Sequence, residues 1–273
     1  MNRVNFIFDD LDDFYREAEI LEPTGNKELF EKFGQRPDKY FVGLSKEDCL
    51  KYKYSYEPGM EKLEEIQDDF NLGSSTVTWR WDDQDGDYMD MERAYEGQPF
   101  LRRRVRKVGN NTGKFVTVHI NLSEPGMVGH KQMSIKAYTA ANIINKLQSM
   151  GYAVEVRVLD VAKGCGTLND KRIDVLRLSI PVKKFDEPLN MSLLLTCVSP
   201  WMMRKWMFQF EAAKVKMSSG MGGAGRFGEE DNLSNIYIET GECLSKESAK
   251  NKIESIVDMF EEHFEKKEHL DSV

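Results

Sequence analysis

Three stretches of this chain gather residues able to do chemistry. The segment GMGGAGRFG (220–228) holds a G-x-G-x-x-G spacing at Gly220, Gly222 and Gly225, a spacing that lets backbone approach a phosphate. That use needs a strand before the glycines and a helix after them. Here a helical pattern precedes and a strand pattern follows, so a flexible connector, or a loop that orders on a partner, fits better. Arg226 and Phe227 at its end would suit a partner contact. The run RRRVRK (102–107) supplies Arg102, Arg103, Arg104, Arg106 and Lys107, with Phe100 beside it. It could grip phosphates while the aromatic ring stacks on a base. As a strand it would divide its charges between two faces, and pairing with the acidic residues 82–90 is an equal alternative. That acidic stretch, WDDQDGDYMDMER, fails the calcium-loop register: counted from Asp83, the glycine position is Tyr88 and the glutamate position is Ala94. A turn at Asp85-Gly86 followed by a capped helix explains it better.

No nucleophile and base pair up by spacing. His119 lies inside an apolar strand pattern, His130 sits just before a helix, and His263 and His269 do not make the H-E-x-x-H spacing of a zinc protease. G-x-S-x-G and Walker A motifs are missing from the sequence. Cys49, Cys165, Cys197 and Cys243 form no C-x-x-C pair and read as free thiols of a reducing cytoplasm. With 46 acidic against 38 basic residues the net charge is -8, which argues against a general polyanion binder but not against a local basic patch. The opening MNRVNFIFDDLDDF turns acidic too early for a signal peptide. No apolar run approaches the roughly 20 residues of a membrane span, so a cytoplasmic protein is expected. A hydrophobic content of 40% allows a substantial core.

The elements that must position these residues fall into two regions. Residues 1–110 read as helix-rich with a short strand. Phe6, Leu11, Phe14, Tyr15 and Ala18 predict an amphipathic helix over 5–21. Ser45 with Asp48 caps a short helix, and Met60, Leu63, Ile66 and Phe70 mark another after Pro58. TVTWRW (76–81) alternates as a strand, and 88–96 suits a helix. Residues 114–267 read as an α/β domain. FVTVHIN (115–121) predicts a strand buried on both faces, followed by a helix over 131–150 and a strand over 153–161. A hairpin then leads to an antiparallel strand, 173–182, placed at the sheet edge, where Pro181 is tolerated. Helical turns over 190–198 precede a helix over 201–215, opened by Ser199-Pro200. Trp201, Met202, Met203, Trp206, Met207, Phe208 and Phe210 cover more than one side of it, which predicts a partly exposed apolar patch. A strand over 235–240 and a helix over 245–267 close the chain.

The resulting order, β-α-β-β-α-β-α, resembles a shortened von Willebrand factor A fold, and Rossmann-like folds share much of it. In that family the first strand ends in D-x-S-x-S, whose oxygens hold a hard divalent cation such as Mg2+. The corresponding residues here are Asn121, Leu122, Ser123, Glu124 and Pro125, with Glu239 in the late acidic position. Asn121 and Pro125 replace an oxygen-donor Asp and Ser, so the resemblance implies a degenerate site of Asn121, Ser123 and Glu239, better suited to a loop scaffold than to a metal. Gly86, Asp90, Gly97 and Pro99, set before an Arg-rich stretch and FVTVHINLS, further resemble a family of bacteriophage proteins with such a domain and no established activity. That resemblance implies a phage-encoded protein in the host cytoplasm. Two functional readings follow. In one, the chain is a non-enzymatic interaction module that binds a protein at its strand ends through Ser123, Glu124, Met127, Arg226 and Phe227; by analogy the partner is a ring ATPase of the MoxR type. In the other, it is a nucleic-acid-binding accessory protein using Phe100 and the 102–107 patch.

Overall fold

The computed structural model describes residues 2–19, 23–34, 38–60, 78–82, 88–89, 91–95, 100–105, 114–217 and 221–271. The chain opens with strand β1 (Arg3–Ile7), where a helix over 5–21 was expected. Val4 and Phe6 are half-buried while Arg3, Asn5 and Ile7 are exposed, which is a period of two. The helix begins only after Asp10, whose side chain accepts from the Asp13 N–H at 2.7 Å. This helix, α1 (Leu11–Ala18), buries Phe14, Tyr15 and Ala18, as the stripe predicts. Helices α2 (Lys27–Gly34), α3 (Lys39–Val42) and α4 (Lys46–Lys51) follow, the last capped by Ser45 as expected. Leu63, Ile66 and Phe70 lie outside the described residues. Strands β2 (Thr78–Asp82), β3 (Tyr88–Met89) and β4 (Leu101–Val105), with α5 (Met91–Tyr95) before β4, form a separate antiparallel sheet in the order β2-β4-β3.

The second region holds β5 (Phe115–Asn121), α6 (His130–Ser149), β6 (Ala153–Leu168), β7 (Lys171–Lys183) and α7 (Met191–Cys197). A π-helical segment, Met202–Met207, runs into α8 (Phe208–Lys214). Strands β8 (Lys216–Met217), β9 (Gly223–Ala224) and β10 (Asn235–Ile238) and helix α9 (Lys246–Asp271) complete it. The main sheet is mixed and seven-stranded, in the order β1-β7-β6-β5-β10, with β8 and β9 added along β6. β5 runs parallel to β6 and β10, β7 is antiparallel to β6, and β1 is parallel to β7. The β6–β7 hairpin turns through Asn169 and Asp170, whose φ angles of 49° and 62° suit a two-residue turn that matches the strand twist.

β7 is therefore an interior strand, not the expected edge, because β1 covers it from Val175 to Ser179. Pro181 is tolerated because it lies past that stretch, next to a register shift in the β6–β7 pairing, where no β1 residue needs its missing N–H. β5 also departs from expectation. Val116, Val118 and Ile120 are buried while Thr117 and His119 are half-buried, so the strand alternates and is not sealed on both faces. Its inner face shares one continuous core with α1, α6, α9 and the rod formed by the π segment and α8.

The rod carries large apolar side chains on more than one side and buries Arg204, Lys205, Gln209 and Glu211 among them, so it must be covered on several sides. Met202, Trp206 and Phe210 face the main core. Trp201 packs with Val42, Cys49 and Tyr56 from the N-terminal helices, and Ala212 and Ala213 pack with Phe30. Trp201, Met202, Met203, Trp206, Met207 and Phe210 are thus no more than 2% exposed. The expected surface patch is instead the seat of α1 to α4.

Phe14 tests this seat. It is fully buried, edge-on to Phe8 at 5.5 Å and packed against Phe210. Phe14→Ala should lower stability by about 3–5 kcal/mol in urea unfolding. A change within about 0.5 kcal/mol, as for a surface position, would mean that α1 does not pack on the rod.

Candidate functional site

The site begins where strands of unequal length part company. β5 ends at Asn121, opposite Leu159, while β6 continues to Leu168. β9 takes up the free edge of β6, pairing Ala224 with Ala162 and Gly223 with Lys163. The loop leaving β5 (122–129) and the glycine-rich loop (221–228) thus rise beside a notch at the C-terminal ends of parallel strands, where open α/β sheets bind ligands. The glycine-rich loop is stitched down and does not act as the expected free connector. The Gly225 N–H donates to the Val161 carbonyl at 2.7 Å, and a Cβ there would lie 2.7 Å from Val161 Cγ1. Asn121 Nδ2 and Thr240 Oγ1 donate to the Gly225 carbonyl at 3.0 and 2.8 Å.

Beneath the notch lies a buried charged knot. Helix α6 delivers Lys136, whose Nζ donates to the Asn121 and Glu239 carbonyls at 2.9 Å each and pairs with the Glu124 carboxylate. Both side chains of this ion pair are 0% exposed. Burial pulls the Lys136 ammonium below its ordinary range, and Glu124 opposes that pull. Glu124 also accepts from the Gly241 N–H at 3.0 and 3.1 Å. Asn121 Nδ2 donates to Glu239 Oε2 at 2.8 Å, and the Gly228 N–H donates to Glu239 Oε1 at 2.9 Å. Burial works against the Glu239 charge, but these donors, with the N–H groups of Phe227 and Thr240, hold its carboxyl below the usual range.

Asn121, Ser123 and Glu239, the residues of the degenerate metal site, do come together. Asn121 joins the other two, donating to Glu239 and accepting from the Ser123 backbone N–H, and the positive charge beside them is the Lys136 ammonium. Among the described residues, no group of three His, Cys, Asp or Glu side chains converges as metal ligands would. Ser123 Oγ donates to Asp160 Oδ1 at 2.5 Å and accepts from the Val161 N–H at 2.6 Å. Burial pushes the Asp160 carboxyl above its ordinary value, against the opposing pull of its bond from Ser123.

Above this floor opens a half-enclosed cleft of about 500 Å³. Phe33, Phe41, Met203, Phe208 and Met221 wall it, and Ser123, Glu124 and Asp160 lie at its base. Phe208 stands edge-on to Phe33 at 5.3 Å and near-parallel to Phe41 at 6.4 Å. Arg204, from the π segment, fastens the walls together. Its Nη1 donates to the Phe41 carbonyl at 2.8 Å, and its Nη2 to those of Pro125 and Val128 at 3.0 and 2.7 Å.

The five expected partner-binding residues separate. Ser123 and Glu124 are buried at the base, not displayed as contact residues, because their oxygens satisfy the knot. Met127 is 90% exposed beside the cleft, and Arg226 is exposed and donates to the Thr240 carbonyl at 3.3 Å. Phe227 turns to the outer face of the sheet and stacks near His119 and Tyr237. Of the basic patch, Phe100 is half-buried, Arg102, Arg103 and Arg104 lie in the β4 backbone, and Arg106 and Lys107 lie outside the described residues, as do Gly86, Asp90, Gly97 and Pro99. Lys136, Asp160, Arg204 and Glu211 escaped the sequence reading. Their signal is a charge placed within an otherwise apolar run, as in VLDV at Asp160.

A family model described as Domain of unknown function (DUF7192) matches residues 2–268. No curated protein and no solved structure matches the chain. Among the described residues, no helix is long and apolar enough to cross a membrane.

The knot makes a quantitative prediction. Lys136→Met strands the Glu124 charge in the interior and should destabilise the fold by about 3–5 kcal/mol. The double variant Lys136→Met/Glu124→Gln should recover a large part of that loss in urea unfolding. Additive losses from the two single changes would show that the pair does not interact.

Proposed function

From the premise that the chain belongs to the DUF7192 family, whose description assigns no activity, we propose that it is a non-enzymatic protein-interaction module. Its partner docks an apolar side chain into the cleft beyond the end of β5, beside Asp160 to Ala162 of β6. The observation that carries this reading is the composition of the cleft: three phenylalanines and two methionines wall an open, preformed space of about 500 Å³. Such a lining favours apolar anchors. The base supports binding over chemistry, because Ser123 and Glu124 are committed to internal hydrogen bonds. The von Willebrand A-like resemblance, in which strand-end loops meet partners, is part of the same proposal. The element order from β5 to α9 supports it, and a MoxR-type ATPase is the partner class it suggests.

A second reading, nucleic-acid binding, draws on one register. Trp79 lies opposite Arg104, and Trp81 and Tyr88 lie opposite Arg102, and residues opposite each other in an antiparallel pair share a face. The backbone register thus brings aromatic and cationic residue types opposite one another, a combination that single-stranded nucleic-acid binders use.

A photo-crosslinking amino acid at Met127 separates the two. Interaction through the cleft predicts a crosslinked protein that survives nuclease and EDTA and disappears when Ala224→Trp fills the cleft from its exposed rim. Crosslinking that vanishes with nuclease, or that is indifferent to Ala224→Trp, would overturn the cleft as the docking site.

A further inference from the structure

A second cavity, of about 230 Å³, lies on the outer face of the sheet, away from the cleft base. Its walls come from β1, β5, β6 and β7: the side chains of Ile7, Leu159 and Val161 are apolar, and those of His119, Arg157 and Arg177 are polar. Phe227, held on the stitched glycine-rich loop, closes one side.

The two arginines of this wall are in different states. Arg157 is fully engaged. Its Nε donates to Ser179 Oγ at 2.8 Å, its Nη1 pairs with Glu155 at 2.9 Å, and its Nη2 donates to the Phe8 carbonyl at 2.7 Å. Arg177 makes one hydrogen bond, from Nη2 to the Phe227 carbonyl at 2.8 Å, and lies 4.0 Å over the Phe227 ring. Its Nε is buried with no partner, and among the described residues no carboxylate pairs with it. His119 Nδ1, on the same wall, is likewise buried without a partner. Its Nε2 meets Asn235 Oδ1, an acceptor, at 3.1 Å, so Nε2 carries the ring proton. Burial pulls His119 below its ordinary value despite that bond, so the ring is neutral and Arg177 is the uncommitted cation of this wall.

A guanidinium that is held in place by stacking, lacks a counter-ion and sits at the rim of an apolar cavity is a preorganised carboxylate receptor. We propose that this cavity binds a small apolar carboxylate, its charge against Arg177 and its aliphatic tail between Ile7, Leu159 and Val161. The chemistry is shared by two sources, a free branched-chain acid and the carboxyl terminus of a peptide ending in an apolar residue. The narrow volume and the single uncommitted arginine favour one negative charge over the two of a phosphate.

Calorimetric titration of the full chain tests the assignment with isocaproate, isocaproamide, and a hexapeptide ending in leucine as free acid or amide. The acid forms should bind at least about tenfold more tightly than the amides, the margin of one charge-assisted hydrogen bond. Arg177→Gln should erase that margin. Ile7 is 70% exposed, so Ile7→Glu should fold normally and weaken the acid forms more than the amides, with Ile7→Gln as the control for the lost tail contact. A free-acid peptide that binds more tightly than isocaproate assigns the natural ligand to a protein terminus, and equal affinities assign it to a free acid. Acid and amide binding alike, no binding by either acid, or a margin unchanged in Arg177→Gln would overturn the proposal.

Discussion

The ammonium of Lys136 is the interaction on which the strand-end region depends. Taking a lysine and a glutamate fully out of water is costly, and the fold recovers that cost only by giving each group several well-placed partners. The partners come from four places in the chain: the end of β5, the loop after it, the end of β10 and the turn at Gly241. One charge therefore fixes the relative positions of segments separated by more than a hundred residues. Glu239 and Asn121 extend the network to the glycine-rich loop through Gly225 and Gly228. Both loops flanking the cleft are thereby anchored from below.

A second constraint acts from above. The rod of the π segment and α8 carries apolar side chains on more than one side, so it requires cover from the sheet and from the N-terminal helices together. That double demand draws α2 and α3 over the strand ends, and the cleft is the space left between them and the anchored loops. The π segment places Arg204 and Met203 where both can serve this space, in line with the tendency of such bulges to occur at functional positions. The outer face of the sheet carries its own polar and aromatic residues, His119, Arg157, Arg177 and Tyr237, and it is there that the second cavity forms.

Much of the second region was legible in the sequence because its signals are local. FVTVHIN is bounded by turn residues and rich in β-branched side chains, and the strand occupies 115–121. The helix over 130–149 read within a residue, and the hairpin was found, but β6 runs on to Leu168 through the stretch expected to be its connection. The misreadings arose where the answer depends on a distant partner. The edge position given to β7 could be corrected only by knowing that residues 3–7 return to pair with it. Phe6 satisfies both a helical and a strand period, and its neighbour across the sheet decides between them. At the site, Asn121, Ser123 and Glu239 were singled out through the von Willebrand A-like pattern at the end of the first strand, and the fold brings them to one place. Lys136 was missed because a lysine in a helix ordinarily reads as a solvated face, and its burial follows from the carbonyls that tertiary packing aims at it.

Amide hydrogen exchange would report the anchoring of these loops one residue at a time. The N–H groups of Gly241 and Gly228 belong to loops, yet they donate to the Glu124 and Glu239 carboxylates of the knot. If Lys136 anchors these loops, both amides exchange as slowly as that of Val118 in the core of β5, opening only with the fold as a whole. If they exchange at the rate of unstructured loop amides while Val118 stays protected, the knot does not hold the strand-end loops and the account fails at its base.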